Sequence, residues 1–194
     1  YKPKKGVTET DVVFRDNKMR LLRYRSDTPK KYKTPLLFVY SVINRWYIVD
    51  LMENRSLMKF LADQGYDVYI TDWGKPTRSD KDDGFNEYIC GYLNSAIDYI
   101  RESTKSEKVT IYGYCLGGTF TILYSALFPE KIKNLICMTA PVDFSTDGLF
   151  KRWSDKETFD AERIIETTKL FPADFMDGAL GIKNIAASFW KGHT

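Results

Sequence analysis

The sequence predicts an α/β fold built on a mostly parallel sheet. Four short apolar runs begin near residues 36, 66, 108 and 134, and a segment of helical length separates each run from the next. This alternation is typical of right-handed βαβ crossovers, which place helices on both faces of a parallel sheet. The chain has 194 residues, 43% of them hydrophobic, which suits one globular domain with a buried sheet.

The elements follow in chain order from the period of the apolar residues. Strands are expected at residues 19–24, 36–40, 66–70, 108–114 and 134–140. Helices are expected at residues 54–64, 85–101 and 116–128. Asn54 or Ser56 suits the N-cap of the first helix, and Gly65 suits its end. The third helix is apolar nearly all round, which predicts a buried position.

The chain divides by composition into three parts. Residues 1–31 form a basic N-terminal segment, residues 32–140 a partial α/β core, and residues 141–194 a cap of short helical pieces. The cap is marked by scattered aromatic residues: Trp153, Phe159, Phe171, Phe175, Phe189 and Trp190. These residues are expected to pack on the core, to line a tunnel, to contact a second subunit or to bind another surface.

Charge and composition exclude several classes of protein. Lys and Arg number 29 and Asp and Glu 26, so the net charge is +3, too small to favour a nucleic acid partner. No apolar stretch approaches the roughly 18 residues of a membrane span, and no signal peptide follows the N-terminus. The three cysteines are far apart, which suits a reducing compartment. We therefore predict a cytoplasmic protein without a membrane span.

The junction between the fourth strand and the third helix carries the candidate chemistry. It reads Gly113-Tyr114-Cys115-Leu116-Gly117, the pattern of a nucleophile elbow with Cys in the place of Ser. The tight turn needs the two glycines, and it raises Cys115 beside the N–H donors of the helix N-terminus. The alternative is that Cys115 is an inert, buried cysteine beside a glycine-rich turn. Cys90, in a predicted helix, and Cys137, in a predicted strand, are also expected to be inert core residues.

Four segments together resemble the catalytic region of polyhydroxyalkanoate synthases, in particular the two-component kind. They are residues 34–45, residues 65–74 with Asp72-Trp73-Gly74, the Cys115 elbow, and residues 139–144. The resemblance implies an α/β-hydrolase fold, incomplete at its C-terminal side, with a helical cap. It implies an acyltransferase that moves 3-hydroxyacyl groups, 3-hydroxybutyryl above all, from coenzyme A to Cys115 as a thioester and then into polyester. The oxyanion hole is expected from the backbone N–H of Leu116 and of the loop around residues 41–43, assigned to Val42.

The resemblance also implies partners and a location. We expect a homodimer, a second synthase subunit, or both, and a place in the cytoplasm or at the surface of the polyester granule. The sheet edge left bare by a partial fold favours such association. No His/Cys cluster and no phosphate-cradling glycine loop calls for a metal or an organic cofactor.

The synthases also carry an Asp and a His after later strands, and this chain matches neither. His193 is the sole imidazole and lies in no matching motif. Asp143 and Asp72 are expected to build turns and loops. We therefore expect an incomplete stretch of a larger synthase that, alone, releases no coenzyme A. Two other readings remain: a cysteine-dependent hydrolase of the thioesterase or dienelactone type, and a non-catalytic scaffold that binds a partner.

Overall fold

A computed structural model describes residues 6–145 and 160–168 of the chain. The chain forms two compact units. The first comprises Tyr1–Lys75 and Asp83–Val142, and the second comprises Pro76–Asp82 and Asp143–Thr194. The sheet and the candidate site both lie in the first unit. None of the described helices combines the length and hydropathy needed to span a membrane.

Six strands form one mixed sheet. They are β1 (Thr10–Asp16), β2 (Met19–Tyr24), β3 (Leu36–Val39), β4 (Val68–Asp72), β5 (Val109–Tyr114) and β6 (Ile132–Met138). Their order across the sheet is β1-β2-β4-β3-β5-β6. Strands β4, β3, β5 and β6 are parallel, whereas β2 is antiparallel to both β1 and β4. The mostly parallel sheet predicted from the sequence is confirmed.

Helices connect the parallel strands, as the spacing predicts. These connecting helices are α1 (Leu57–Asp63), α2 (Asn94–Thr104) and α3 (Leu116–Leu127). A further helix, α4 (Ala161–Thr168), follows β6 in the chain and belongs to the second unit. A π-helical stretch, Glu87–Leu93, leads directly into α2, so the helix predicted at residues 85–101 has two geometries. Ser56 is the N-cap of α1, because its side chain accepts a hydrogen bond from the Lys59 N–H.

Both faces of the sheet are covered by apolar side chains. On one face, Ile97 of α2 and Phe120 of α3 pack in the same cluster as Ile111 of β5. On the other face, Met58 of α1 packs with Phe38 of β3. Burial of each such side chain contributes about 1.5–3 kcal/mol to stability. The two clusters therefore fix β3 and β5, the strands that lead into the candidate site.

Three details differ from the sequence-based expectations. Strand β1 was not predicted, and its pairing with β2 places the predicted strand at residues 19–24 between β1 and β4. Among the described strands β6 lies at the edge of the sheet, and Cys137 on it is exposed, so its predicted burial is wrong. Helix α3 buries one face only: it turns Gly117 towards β3 but leaves Leu123 and Leu127 41% and 58% exposed.

Candidate active site

The turn between β5 and α3 holds Cys115 in a strained backbone conformation. Its φ is 54° and its ψ is −131°, a region that side-chain-bearing residues rarely adopt. Its N–H donates to the Met138 carbonyl of β6 at 3.0 Å, and its carbonyl accepts from the Gly118 N–H at 2.8 Å. Cys115 is partly exposed. The turn therefore has the shape of a nucleophile elbow, and it is neither buried nor relaxed into helix.

Three glycines allow the close approach of strand and helix. A Cβ at Gly113 would lie 2.1 Å from Thr121 Oγ1, and one at Gly117 would lie 2.1 Å from the Val39 carbonyl oxygen. A Cβ at Gly118 would lie 2.5 Å from the Ala140 Cβ. Gly113 and Gly117 are the predicted pair. The need for Gly118 was missed, although the consecutive glycines after Cys115 were the available signal.

The backbone around the elbow carries candidate oxyanion donors. Leu116 is the first residue of α3, where a helix has no internal partner for its N–H. In the loop after β3, the Ile43 N–H donates to Ser41 Oγ at 3.3 Å and the Asn44 N–H donates to the Ser41 carbonyl at 3.3 Å. Among the described residues, the Val42 N–H has no hydrogen-bond partner. This pattern favours Val42 over Ile43 and Asn44.

An indole fixes the start of that loop. Trp73 Nε1 donates to the Tyr40 carbonyl at 2.8 Å, and both residues are buried. The Tyr40 carbonyl carbon would lie 2.8 Å from a Cβ at Gly117, so it packs directly against the first turn of α3. Trp73 thereby connects the loop after β4 to the loop after β3. Trp73 lies in the Asp72-Trp73-Gly74 motif, but the sequence alone predicts no role for its indole.

Asp72 holds the Trp73 loop in place. Its carboxylate accepts from Arg20 Nε of β2 at 2.9 Å and from the Gly74 N–H at 3.1 Å. A Cβ at Gly74 would lie 2.3 Å from the Lys18 carbonyl oxygen, and the φ of Gly74 is 72°. Asp72 therefore builds the loop, as the sequence predicts.

Two tyrosines flank the cysteine on the sheet. The rings of Tyr40 and Tyr114 stack with their centroids 5.3 Å apart. Burial, together with the nearby Tyr114 and Cys115, raises the pKa of Tyr40 to about 12. Its phenol therefore stays protonated at neutral pH and remains a hydrogen-bond donor.

The other sequence candidates lie elsewhere. Cys90 is partly buried beside the α2 face of the core. The Asp143 carboxylate accepts from the Ser145 hydroxyl at 2.6 Å and the Ser145 N–H at 2.8 Å, which lowers the pKa of Asp143 and builds the predicted turn. His193 and the six cap aromatics lie outside the described residues. Within residues 6–145 and 160–168, no group of His, Cys, Asp and Glu side chains is placed to hold a metal ion.

Two family models match the chain. Residues 34–171 match the alpha/beta hydrolase fold. Residues 4–61 match the N-terminus of poly-beta-hydroxybutyrate polymerase (PhaC). The first match covers the elbow, and the second covers β1 to β3 and the loop with Val42.

Several proteins similar in sequence to this chain are also named PhaC. The poly(3-hydroxyalkanoate) polymerase subunit PhaC of Haloferax mediterranei is 37% identical over 185 residues, which are 95% of this chain and 38% of that protein. The subunit of the same name from Synechocystis is 38% identical over 177 residues, 89% of this chain and 47% of that protein. The subunit from Allochromatium vinosum is 38% identical over 175 residues, which are 89% of this chain and 49% of that protein. The chain thus spans less than half the length of these relatives.

Solved structures share the fold. Epoxide hydrolase VrEH1 from Vigna radiata superposes with a TM-score of 0.51 at 15% identity, covering 77% of this chain and 44% of that one. A soluble variant of monoglyceride lipase from Saccharomyces cerevisiae gives a TM-score of 0.50 at 16% identity, covering 74% and 47%. At these identities the likeness extends to the fold alone, and it agrees with the predicted α/β-hydrolase architecture.

Proposed function

Because the chain belongs to the α/β-hydrolase family and, within it, to the PhaC polymerases, we propose that it carries the nucleophile of a polyhydroxyalkanoate-forming acyltransferase. The substrate is a 3-hydroxyacyl-coenzyme A, with 3-hydroxybutyryl as the first choice, and the product is a polyester. The observation that carries the proposal is the strained, partly exposed Cys115 at the elbow between β5 and α3. Its relatives are named for polymerising 3-hydroxyalkanoates.

The first step loads an acyl group onto the cysteine. Cys115 Sγ attacks the thioester carbonyl carbon, a new C–S bond forms, and the C–S bond to coenzyme A breaks. The departing sulfur takes up the proton that the Cys115 thiol gives up. One thioester replaces another, so the acyl group stays activated for the next transfer.

The second step lengthens the polyester. The hydroxyl oxygen of another 3-hydroxyacyl unit attacks the acyl carbon on Cys115 and forms an ester C–O bond. The C–S bond breaks, and the hydroxyl proton returns to the Cys115 sulfur. An oxygen ester is less activated than a thioester, so this step runs downhill.

Two backbone N–H groups are proposed to stabilise the tetrahedral oxyanion. They are those of Leu116, at the start of α3, and Val42, in the loop held by the Trp73 indole. Donors fixed before the reaction need no reorganisation as negative charge develops, which is why such sites lower the barrier.

We assign residues 141–194 to the cap of this enzyme. We also propose association with a second copy or a second synthase subunit, and a cytoplasmic location that extends to the granule surface. Residues 1–194 expressed alone are proposed not to turn over, because their one imidazole, His193, matches no catalytic motif. Release of coenzyme A by that fragment contradicts this part of the proposal.

A trapped acyl-enzyme tests the proposed function. The larger synthase of which residues 1–194 are proposed to be a part is incubated with a 3-hydroxybutyryl-coenzyme A analogue and digested, and the adduct is located by mass spectrometry. We expect one acyl group on Cys115 and none on the exposed Cys137. Free hydroxy acid in stoichiometric amount with released coenzyme A supports a thioesterase instead, and an unlabelled Cys115 supports a scaffold.

Trp73→Phe tests the positioning of the oxyanion loop. The variant keeps an aromatic ring but loses the 2.8 Å bond to the Tyr40 carbonyl. We expect kcat to fall about tenfold, less than the loss of an oxyanion donor itself, with KM unchanged. Tyr88→Phe is the matched control, because the Tyr88 ring packs 5.4 Å from that of Trp73. Equal losses of kcat in both variants, or a change confined to thermal stability, contradict the positioning role.

A further inference from the structure

A concave surface lies at the opposite end of the sheet from Cys115. It is open to solvent, has a volume of about 980 Å³, and includes Asp67 just before β4, Lys108 just before β5 and Lys133 at the start of β6. Because β3 to β6 are parallel, their amino ends meet at one edge of the sheet. Cys115 follows the carboxyl end of β5. This cavity is therefore separate from the candidate active site.

The cavity concentrates the positive charge of the protein. Among the described residues, seven Lys and Arg side chains line it, against Asp67 and Glu107 as acids. The resulting excess of five charges is larger than the net charge of +3 on the whole chain. The balance over the rest of the chain is therefore slightly negative, and an anion is drawn to this cavity rather than to the surface in general.

The acids at the cavity do not neutralise this charge. Asp67 already accepts from Arg23 Nε at 2.8 Å and pairs with Lys30 Nζ at 2.8 Å. Four more lysines line the cavity, two in the loop before β3 and two in the segment between α2 and β5. In the described parts of the chain, no carboxylate forms an ion pair with any of these four. These are Lys31, Lys33, Lys105 and Lys108.

A purely structural explanation covers only part of the cluster. Helix α2 ends at Thr104 with Lys105 as its C-cap, and basic residues are favoured beside the carbonyl end of a helix. This favourable interaction with the end of α2 accounts for Lys105 and Lys108. It does not explain Lys31 and Lys33, which reach the same cavity from a loop distant in sequence. Like charges gathered from two segments repel one another unless an anion joins them.

We propose that this cavity binds a compact ligand that carries two or more phosphate groups. Its volume falls near the upper end of the usual range for small-molecule sites, about 300–1,000 Å³. The lysines line one concave surface, which suits a compact ligand better than an extended nucleic acid backbone. Tyr69 and Tyr99 supply partly apolar walls, as small-ligand sites require. The ammonium groups of the lysines supply the point charges that phosphate groups favour.

Calorimetric titration of the full chain with inorganic triphosphate tests the proposal. We expect saturable binding that weakens from 50 to 200 mM salt, as screening requires. A second titration with ATP distinguishes a free polyphosphate from a nucleotide as the ligand. If ATP and triphosphate bind with equal affinity, the phosphate groups suffice; if ATP binds more tightly, the site favours a nucleotide. Absence of triphosphate binding at low salt overturns the proposal.

Charge-removing variants locate the binding. Lys31→Ala with Lys108→Ala is expected to weaken triphosphate binding about tenfold or more. Lys59→Ala with Lys75→Ala is the matched control, since both lysines are exposed and neither lines the cavity. If the first pair fails to fold in a thermal melt, Lys33→Gln replaces it, with a smaller expected loss in the same direction. Equal weakening in variant and control overturns the site, and so does lysine-dependent binding of a DNA duplex or of anionic vesicles that is tighter than that of triphosphate.

Discussion

We expect Cys115→Ala to lower the release of coenzyme A from 3-hydroxybutyryl-coenzyme A by at least about 10³-fold in the larger synthase of which residues 1–194 are proposed to be a part. The reason is that alanine removes the atom that accepts the acyl group, and no other sulfur replaces it. Cys90 lies against the core and Cys137 lies on the exposed edge strand. Free-thiol titration of released coenzyme A measures the rate.

The fold is expected to survive this substitution. Cysteine and alanine both carry a Cβ, so the backbone strain at a φ of 54° is the same for both residues. Cys137→Ala is the matched control, and its rate should equal that of the unaltered protein. A Cys115→Ala variant that keeps more than a tenth of the rate would remove Cys115 from the mechanism.

The second large effect is expected from Gly117→Ala. The added Cβ would lie 2.1 Å from the Val39 carbonyl oxygen and 2.8 Å from the Tyr40 carbonyl carbon. Both neighbours are backbone, so either β3 or α3 must move. Overpacking of this kind lowers the free energy of unfolding by about 3 kcal/mol. The same movement displaces the loop with Val42, so the rate of acyl transfer should fall as well.

Gly91→Ala is the control for this prediction. A Cβ at Gly91 meets nothing within 4 Å, and the residue lies in the helical stretch that leads into α2. Alanine there should leave stability unchanged or raise it by up to about 1 kcal/mol. Urea denaturation of both variants measures the difference. Equal midpoints for Gly117→Ala and the unaltered protein would show that strand and helix can separate without cost.

Local patterns predicted the elements that positioned the elbow. The strand at residues 19–24 has the predicted bounds, and Ser56 is the N-cap of α1. Such features depend on neighbours within four residues, which the sequence displays directly. The elbow itself was predictable because Gly113 and Gly117 bracket Cys115 at a fixed spacing between a strand and a helix.

Features set by distant contacts were not predictable. The burial of a strand depends on its place in the sheet, which the apolar pattern of β6 does not encode, so Cys137 was misplaced. The role of Trp73 depends on an acceptor 33 residues earlier, the Tyr40 carbonyl. The cavity beside Lys31 and Lys108 joins segments far apart in the chain, whose lysines read separately as ordinary solvated charges.

The hairpin of β1 and β2 limits how far the N-terminus of this protein can be shortened. Arg20 of β2 holds Asp72, and the Lys18 backbone lies against Gly74, so the hairpin braces the turn that carries Trp73. Trp73 in turn holds the Tyr40 carbonyl against α3. A shortened version that starts at β3 would keep Cys115 yet lose this scaffolding. Expression boundaries for a minimal catalytic fragment therefore belong before residue 10.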